Sequence, residues 1–305
     1  MLGTHSVFRQ STHESFSDAA RLRPDSAIAS ARRISLLVAR KPLGAITLSF
    51  LVLLVIAAAF APIIAPYEPR IPSGANLDPP SLAHPFGTDF EGRDILSRVI
   101  YGARVSLYVG IGAVVIGTAA GTALGLLSGF FRGPIEAVTQ RFIDAAMAIP
   151  LILLAVVIVS LVPPNLNNII VALAFAIAPR TARVVHSSTI AVRQELFIEA
   201  ARALGCGACR ILWRHVLPNV LAPIIVVASV IMGGAIIAES SLSFLGLSDP
   251  GQVSWGAMLS GEGRQYMIRA PWSAIFPGAA IMATVLAFNL FGDTLRDVLD
   301  PRLSV

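Results

Sequence analysis

Long apolar runs without a single charge, separated by short polar clusters, set the plan of this chain. Residues 42–65 form one such run of 24 positions, 105–131 a second of 27, and 145–179 a third of 35. A helix needs about 20 predominantly apolar residues to cross roughly 30 Å of hydrocarbon, so each of the first two runs predicts one span. The third is too long for one and is interrupted by Pro163, Pro164 and Asn165, which predicts a hairpin. Its first arm is expected over 136–162, entering near Asp144, and its second over 166–185, with Arg180 and Arg183 snorkelling to the aqueous surface. Residues 215–238 and 270–292 supply two more spans. The expected fold is an all-α polytopic membrane protein: one domain of six transmembrane helices over 42–292, with a polar loop at 186–214, a flexible basic tail at 1–41 and a short tail at 293–305.

The connections and helix faces refine this plan. The tail carries seven basic residues, and the first apolar run lies too far in and is too long for a cleavable signal, so it reads as an uncleaved anchor. Between the first two spans, His84, Asp89, Glu91 and Asp94 invite a metal reading. A turn at Pro85 and Gly87, followed by an amphipathic helix over 94–102 lying at the outer interface, accounts for them better. In the second span Gly117, Gly121, Gly125 and Gly129 recur every fourth residue, which places them on one helix face and predicts close packing against a neighbouring helix. Pro218 and Pro223 invite a bend at the start of the fifth span. Glu239 stands at its far end, about 36 Å of helix from His215, near the outer face. Two roles stay open for it: an outer gate or solute contact together with Ser240, or hydrogen bonding to Ser240, Ser241 or Ser243.

Composition agrees with the membrane plan, with 55% hydrophobic and 13% charged residues. The net charge of +5 does not imply nucleic acid, because the basic residues are spread among loops rather than interleaved with aromatics. Twenty-two of the 23 basic residues are Arg, and the single Lys41 is followed by Pro42. A phosphate-binding loop needs Gly-Lys-Ser/Thr. The chain is therefore expected not to be an enzyme, and any ATP hydrolysis must come from a partner. Cys206 and Cys209 have redox or zinc spacing but no second pair, and read as small loop residues. With both termini in the cytosol, 17 basic residues lie inside and six outside, in accord with the positive-inside rule.

The central loop carries the most specific signal. Residues 194–204 have good helix formers, and Gly205 stands where a left-handed residue would end the helix. Glu199, Ala200 and Ala201 fall mid-helix, with Arg202 after them, and Ile211, Leu212 and Trp213 form a second apolar patch. Small side chains and one charged anchor suit a helix that docks into a groove, and the same residues suit equally a surface helix that joins two membrane spans. Glu199, Ala200, Ala201, Gly205, Leu217 and Pro218, at these spacings, resemble the EAA loop of the membrane subunits of bacterial ABC importers. The pattern normally has Ile where this chain has His215. The run Arg214 to Asn219 is nonetheless similar to the dipeptide/oligopeptide/nickel branch, as are the blocks around His84–Asp89 and Gly92–Asp94 and the Ser-Leu-Ser-Phe-Leu-Gly-Leu stretch after Ser240.

The resemblance implies the permease fold of a type I ABC importer and a chain located in the bacterial inner membrane. Glu199, Ala200, Ala201, Arg202 and Gly205 would couple it to an ATPase, with Leu217 and Pro218 joining the loop to the fifth span. The implied partners are a sibling permease forming a heterodimer, two cytosolic ATP-binding subunits or one fused ATPase, and an extracytoplasmic substrate-binding protein that the loop over 248–269 would contact. No cofactor is expected on this chain; ATP and magnesium belong to the ATPase. Peptides are the expected solute, with nickel or another small solute as the alternative. A secondary transporter driven by an ion gradient would place acids or histidines at mid-membrane within inverted repeats; the spans carry none there, and no repeat is visible.

Overall fold

The computed structural model describes residues 42–260 and 265–299, so the 1–41 tail and residues 300–305 lie outside the described residues. The helices in chain order are α1 (Pro42–Ala59), α2 (Ala61–Ile64), α3 (Ile95–Phe130), α4 (Pro134–Met147), α5 (Leu151–Ser160), α6 (Leu166–Arg193), α7 (Leu196–Ala203) and α8 (Ala208–Ile211). A π turn (Leu212–Val216) then leads into α9 (Leu217–Phe244), followed by α10 (Trp255–Leu259) and α11 (Trp272–Leu299). Five helical stretches are long and apolar enough to cross a membrane, and the bent pair α4 and α5 makes a sixth if counted as one. Among the described residues the only strand-like pairing is an isolated bridge between Thr88 and Asp94.

The centre of the molecule is the packing of α3 on α6, and glycine makes it possible. A methyl carbon placed on Gly121 would stand 2.5 Å from the Ala178 carbonyl oxygen, and one on Gly125 2.6 Å from that of Ala182. One on Gly117 would stand 2.8 Å from the Ala174 carbonyl oxygen, and one on Gly129 2.7 Å from Thr189 Cβ and 2.9 Å from the His186 carbonyl oxygen. Side chains here would hold the two backbones apart. The larger cluster of the core gathers Ile95, Val109, Leu173, Ile177, Ile236 and Trp255. A separate inner cluster joins Leu126, Phe130 and Val185 to Ile198, Ile211, Val216 and Val220.

Two stretches depart from the hydrophobic pattern. The segment 94–102 is not a separate interfacial helix: α3 begins at Ile95 and runs unbroken for 36 residues, about 54 Å. Asp94 starts it as N-cap, accepting from the Ser97 N–H at 2.7 Å and the Ser97 hydroxyl at 2.7 Å, and its other oxygen lies 3.0 Å from His84 Nδ1. The stretch 136–162 is not one straight helix either, since α4 and α5 meet at 88°. Pro150 has no N–H to give and biases Ile149 away from helical geometry, which breaks the ladder there. The polar side of α4 is tied to α6, with Asp144 paired to Arg183 and Glu136 Oε1 3.5 Å from His186 Nε2.

Smaller shifts follow from helices outlasting their apolar stretches. α6 continues to Arg193 and α11 to Leu299, so the expected tail at 293–305 begins inside a helix. The connection between α2 and α3 is cross-bonded to its surroundings. Arg93 donates to Asp89 at 2.8 Å and pairs with Glu91, and the Trp272 indole donates to the Thr88 carbonyl at 3.2 Å. Among the described residues no group of three His, Cys, Asp or Glu is placed to hold a metal.

Candidate coupling loop and solute groove

α7 is a two-turn helix with two different faces. Ile198 and Ala201 are buried and point into the inner cluster against the ends of α3, α6 and α9. Glu199, Ala200, Arg202 and Leu204 are exposed, Leu204 at 84% of its full area. The Arg202 guanidinium carbon stands 5.9 Å from the centre of the Phe130 ring, which ties the outer face back to α3 through a cation–π contact. The helix closes in a Schellman motif: Gly205 takes φ +77°, its N–H donates to the Arg202 carbonyl at 2.9 Å, and Cys206 N–H donates to Ala201 at 3.0 Å. Only glycine adopts that conformation without steric cost.

The loop continues as one helical path into the membrane. Gly207 starts α8, which passes through the π turn Leu212–Val216 into α9 without a break in the chain of helical turns. Pro218 and Pro223 remove the N–H groups that would reach the carbonyls of Arg214 and Asn219. The Asn219 side-chain amide adds a bond next to the first of these, donating to the His215 carbonyl at 2.6 Å. Leu217 packs on the inner cluster while Pro218 is exposed. Above this loosened start, α9 lines a groove of about 960 Å³ whose other walls are α5, α6 and α11. Its lining is apolar along Leu151, Ile177, Val227 and Ala238, with Arg180, Asp293 and Arg296 as its charged residues.

A family model described as "Binding-protein-dependent transport system inner membrane component" matches residues 121–305, a stretch that takes in most of the glycine ridge, the loop that carries α7 and the groove. The chain belongs to this family. It is 43% identical over 262 residues to a putative peptide transport system permease protein of Brucella suis, covering 85% of this chain and 88% of that one. It is 45% identical over 252 residues to the dipeptide transport system permease protein DppC of Alkalihalophilus pseudofirmus, covering 82% of each. The glutathione transport system permease protein GsiD of Pectobacterium atrosepticum is 44% identical over 268 residues, 85% of this chain and 87% of that one. Among solved structures, a chain of the inward-facing methionine ABC transporter MetNI matches with a TM-score of 0.57 at 18% identity, over 68% of this chain and 98% of that one. The fold is accordingly that of an ABC importer permease of type I.

Within this permease fold the other candidate residues fall as follows. Glu239 is fully buried and does not line the groove. Its carboxylate accepts from the Ser106 hydroxyl at 2.9 Å, from Ser243 at 2.8 Å and from Ser240 at 3.3 Å. Ser240 is buried beside it. Cys206 is half-buried against the inner cluster and Cys209 is exposed, both as free thiols. Sequence reasoning passed over Ile198, Val185 and Val220, which hold α7 in place, because a buried anchor inside a short polar loop has no periodicity to reveal it. It also passed over Ser106, whose partner lies 133 residues away.

Proposed function

We propose that this chain is one of two membrane subunits of an ATP-driven importer for short peptides, and that α7 is the element a cytosolic ATPase grips. The observation that carries this reading is the two-sided α7: Glu199, Ala200, Arg202 and Leu204 lie outward on a helix whose inner face is packed into the same cluster as the start of α9. A partner that moves α7 therefore moves the wall of the groove. Peptides are supported as the solute by the names of the Brucella and Alkalihalophilus relatives and by the glutathione relative, itself a tripeptide carrier by name. The groove's apolar wall with Arg180, Asp293 and Arg296 suits a molecule bearing side chains and both charges.

In this reading both termini and the loop 186–214 face the cytosol of a bacterial inner membrane. The second membrane subunit is a sibling that closes the open side of the groove, and a binding protein outside the membrane delivers the solute. ATP and magnesium are held by the ATPase subunits. Transport then follows as a switch between two arrangements of the spans, biased by ATP binding through α7.

The test is mutation of the gripped face in the whole complex. Glu199→Arg reverses the charged anchor, and Gly205→Glu places a side chain at φ +77°, a left-handed conformation costing about 1–2 kcal/mol for a non-glycine residue. Either variant is expected in the membrane at normal abundance, with uptake abolished and ATP hydrolysis no longer responding to loaded binding protein. Normal uptake by both would remove α7 from its coupling role.

A further inference from the structure

The two ends of α9 are built in opposite ways. At the inner end the helix starts from a π turn, and two prolines leave carbonyls without their helical donors. At the outer end Glu239 sits at zero exposure with hydroxyls converging on it from two helices, α3 and α9. Ser106 donates from α3 at 2.9 Å, Ser243 from α9 itself at 2.8 Å and Ser240 at 3.3 Å. Ser254, the N-cap of α10, accepts from the Ala257 N–H at 3.2 Å and starts the short helix that packs against this site. A carboxylate offers about four lone-pair sites, and three of them are occupied by Ser106, Ser240 and Ser243.

The same junction is closed by backbone packing. α10 presses on α9 so tightly that a methyl carbon on Gly256 would stand 2.2 Å from the Ser240 carbonyl oxygen. Trp255 is fully buried and its indole N–H donates to the Val99 carbonyl of α3 at 2.9 Å. Gly102 of α3 gives the Trp255 ring its room, since an added carbon there would approach it to 2.7 Å. Three elements thus meet at one point, with the Glu239 carboxylate tying α9 to α3 and with Trp255 and Gly256 holding α10 against both, an arrangement that is costly to open because any donor withdrawn leaves a buried group unpaired.

We infer that Glu239 is a positioning residue that pins the outer end of α9 to α3 beside the α10 contact, making this junction the fixed pivot about which α9 swings when the coupling loop moves. The inference rests on the reading of α7 as the ATPase-coupled element. It assigns to Glu239 neither solute contact nor a gate. The groove wall, from Asn219 to Ala238, lies between the loosened inner end and the pivot, so its inner half opens more than its outer half.

The experiment measures distances between paired spin labels in the complete complex, in lipid nanodiscs, with Cys206 and Cys209 replaced by Ser. One pair, Tyr108→Cys and Phe244→Cys, reports on the outer ends of α3 and α9; the other, Leu127→Cys and Leu221→Cys, reports on the inner ends. All four positions are exposed. With an ATPase subunit that binds but does not hydrolyse ATP, addition of ATP and magnesium is expected to shift the inner distance while the outer one changes by less than about 2 Å. An outer shift as large as the inner one overturns the pivot and leaves ATP coupling intact. No ATP response in either pair overturns the coupling reading, and the pivot with it.

A second set of variants tests the carboxylate itself. Glu239→Leu, of similar volume, is expected to broaden the outer distance distribution and to lower solute uptake per ATP hydrolysed several-fold. Glu239→Gln keeps an acceptor for the serines and is expected to restore both. Ser106→Ala, which removes only the tie to α3, is expected to fall between. A narrow distribution and full coupling in the Leu variant would overturn the role of the carboxylate; if that variant does not assemble, the label pairs in the parent complex decide.

Discussion

A single methyl group separates two kinds of glycine in this chain. At Gly121 an added carbon would meet the Ala178 carbonyl oxygen at 2.5 Å and the Thr181 side chain at 2.7 Å, both in the α3–α6 seam. At Gly234, in α9, there is nothing within 4 Å. Gly121→Ala is expected to destabilise the protein by about 1–3 kcal/mol through overpacking. Gly234→Ala is expected to be neutral or to stabilise by up to about 1 kcal/mol through helix propensity. Thermal unfolding of the detergent-purified variants ranks them, and equal melting temperatures would remove the seam from its packing role. The fourfold glycine period was legible in the sequence because it depends only on helix geometry. The facing of Ala201 was not: Glu199 and Ala201 are two residues apart, and which of them turns inward depends on where α3, α6 and α9 end in space. The same limit applies to Asp94, read as part of a helix when it is the cap that starts one.

Charge-free length locates apolar stretches well but is silent on where a helix bends within one. The run 145–179 contains Pro150 as well as Pro163 and Pro164. The pair at 163 and 164 lies in the turn between α5 and α6, whereas the proline that sets the 88° bend stands in an unbroken apolar context. The polar partners that hold the bent α4 are long-range, so no local pattern announces them. The Asp144 and Arg183 side chains retain 53% and 44% exposure, so solvent screening keeps their pairing weak. A double-mutant cycle with Asp144→Ala and Arg183→Ala is expected to give a coupling of about 0.2–1 kcal/mol. That coupling should fall as salt is raised, because exposed charges are screened within a Debye length of about 10 Å at 0.1 M. A coupling well above this range that ignores salt would mean that lipid or a partner covers α4 and lowers the local dielectric.

At the scale of the whole molecule the open quantity is orientation, and the positive-inside bias makes a definite statement about it. Two exposed leucines mark the opposite ends: Leu82 in the connection between α2 and α3, at full exposure, and Leu204 at the C-terminal end of α7, at 84%. In a Cys206→Ser, Cys209→Ser background, Leu82→Cys is expected to react with a membrane-impermeant maleimide added to intact spheroplasts, and Leu204→Cys only after the membrane is opened. The basic residues decide the sign: Arg193, Arg202, Arg210 and Arg214 flank the loop that carries Leu204, and transferring such a loop to the outer side opposes the bias that sets topology. The same labels separate orientation from coupling. Leu204→Cys lies on the face of α7 assigned to the ATPase, so its reaction in opened membranes should slow when the ATPase subunits are present and recover when they are stripped away. Labelling of Leu204→Cys from outside would invert the topology and place α7 beyond the reach of any cytosolic ATPase. Inside-only labelling that the ATPase leaves unchanged would keep the topology and move the docking surface elsewhere on the inner face, with the exposed Trp213 as the next position to probe.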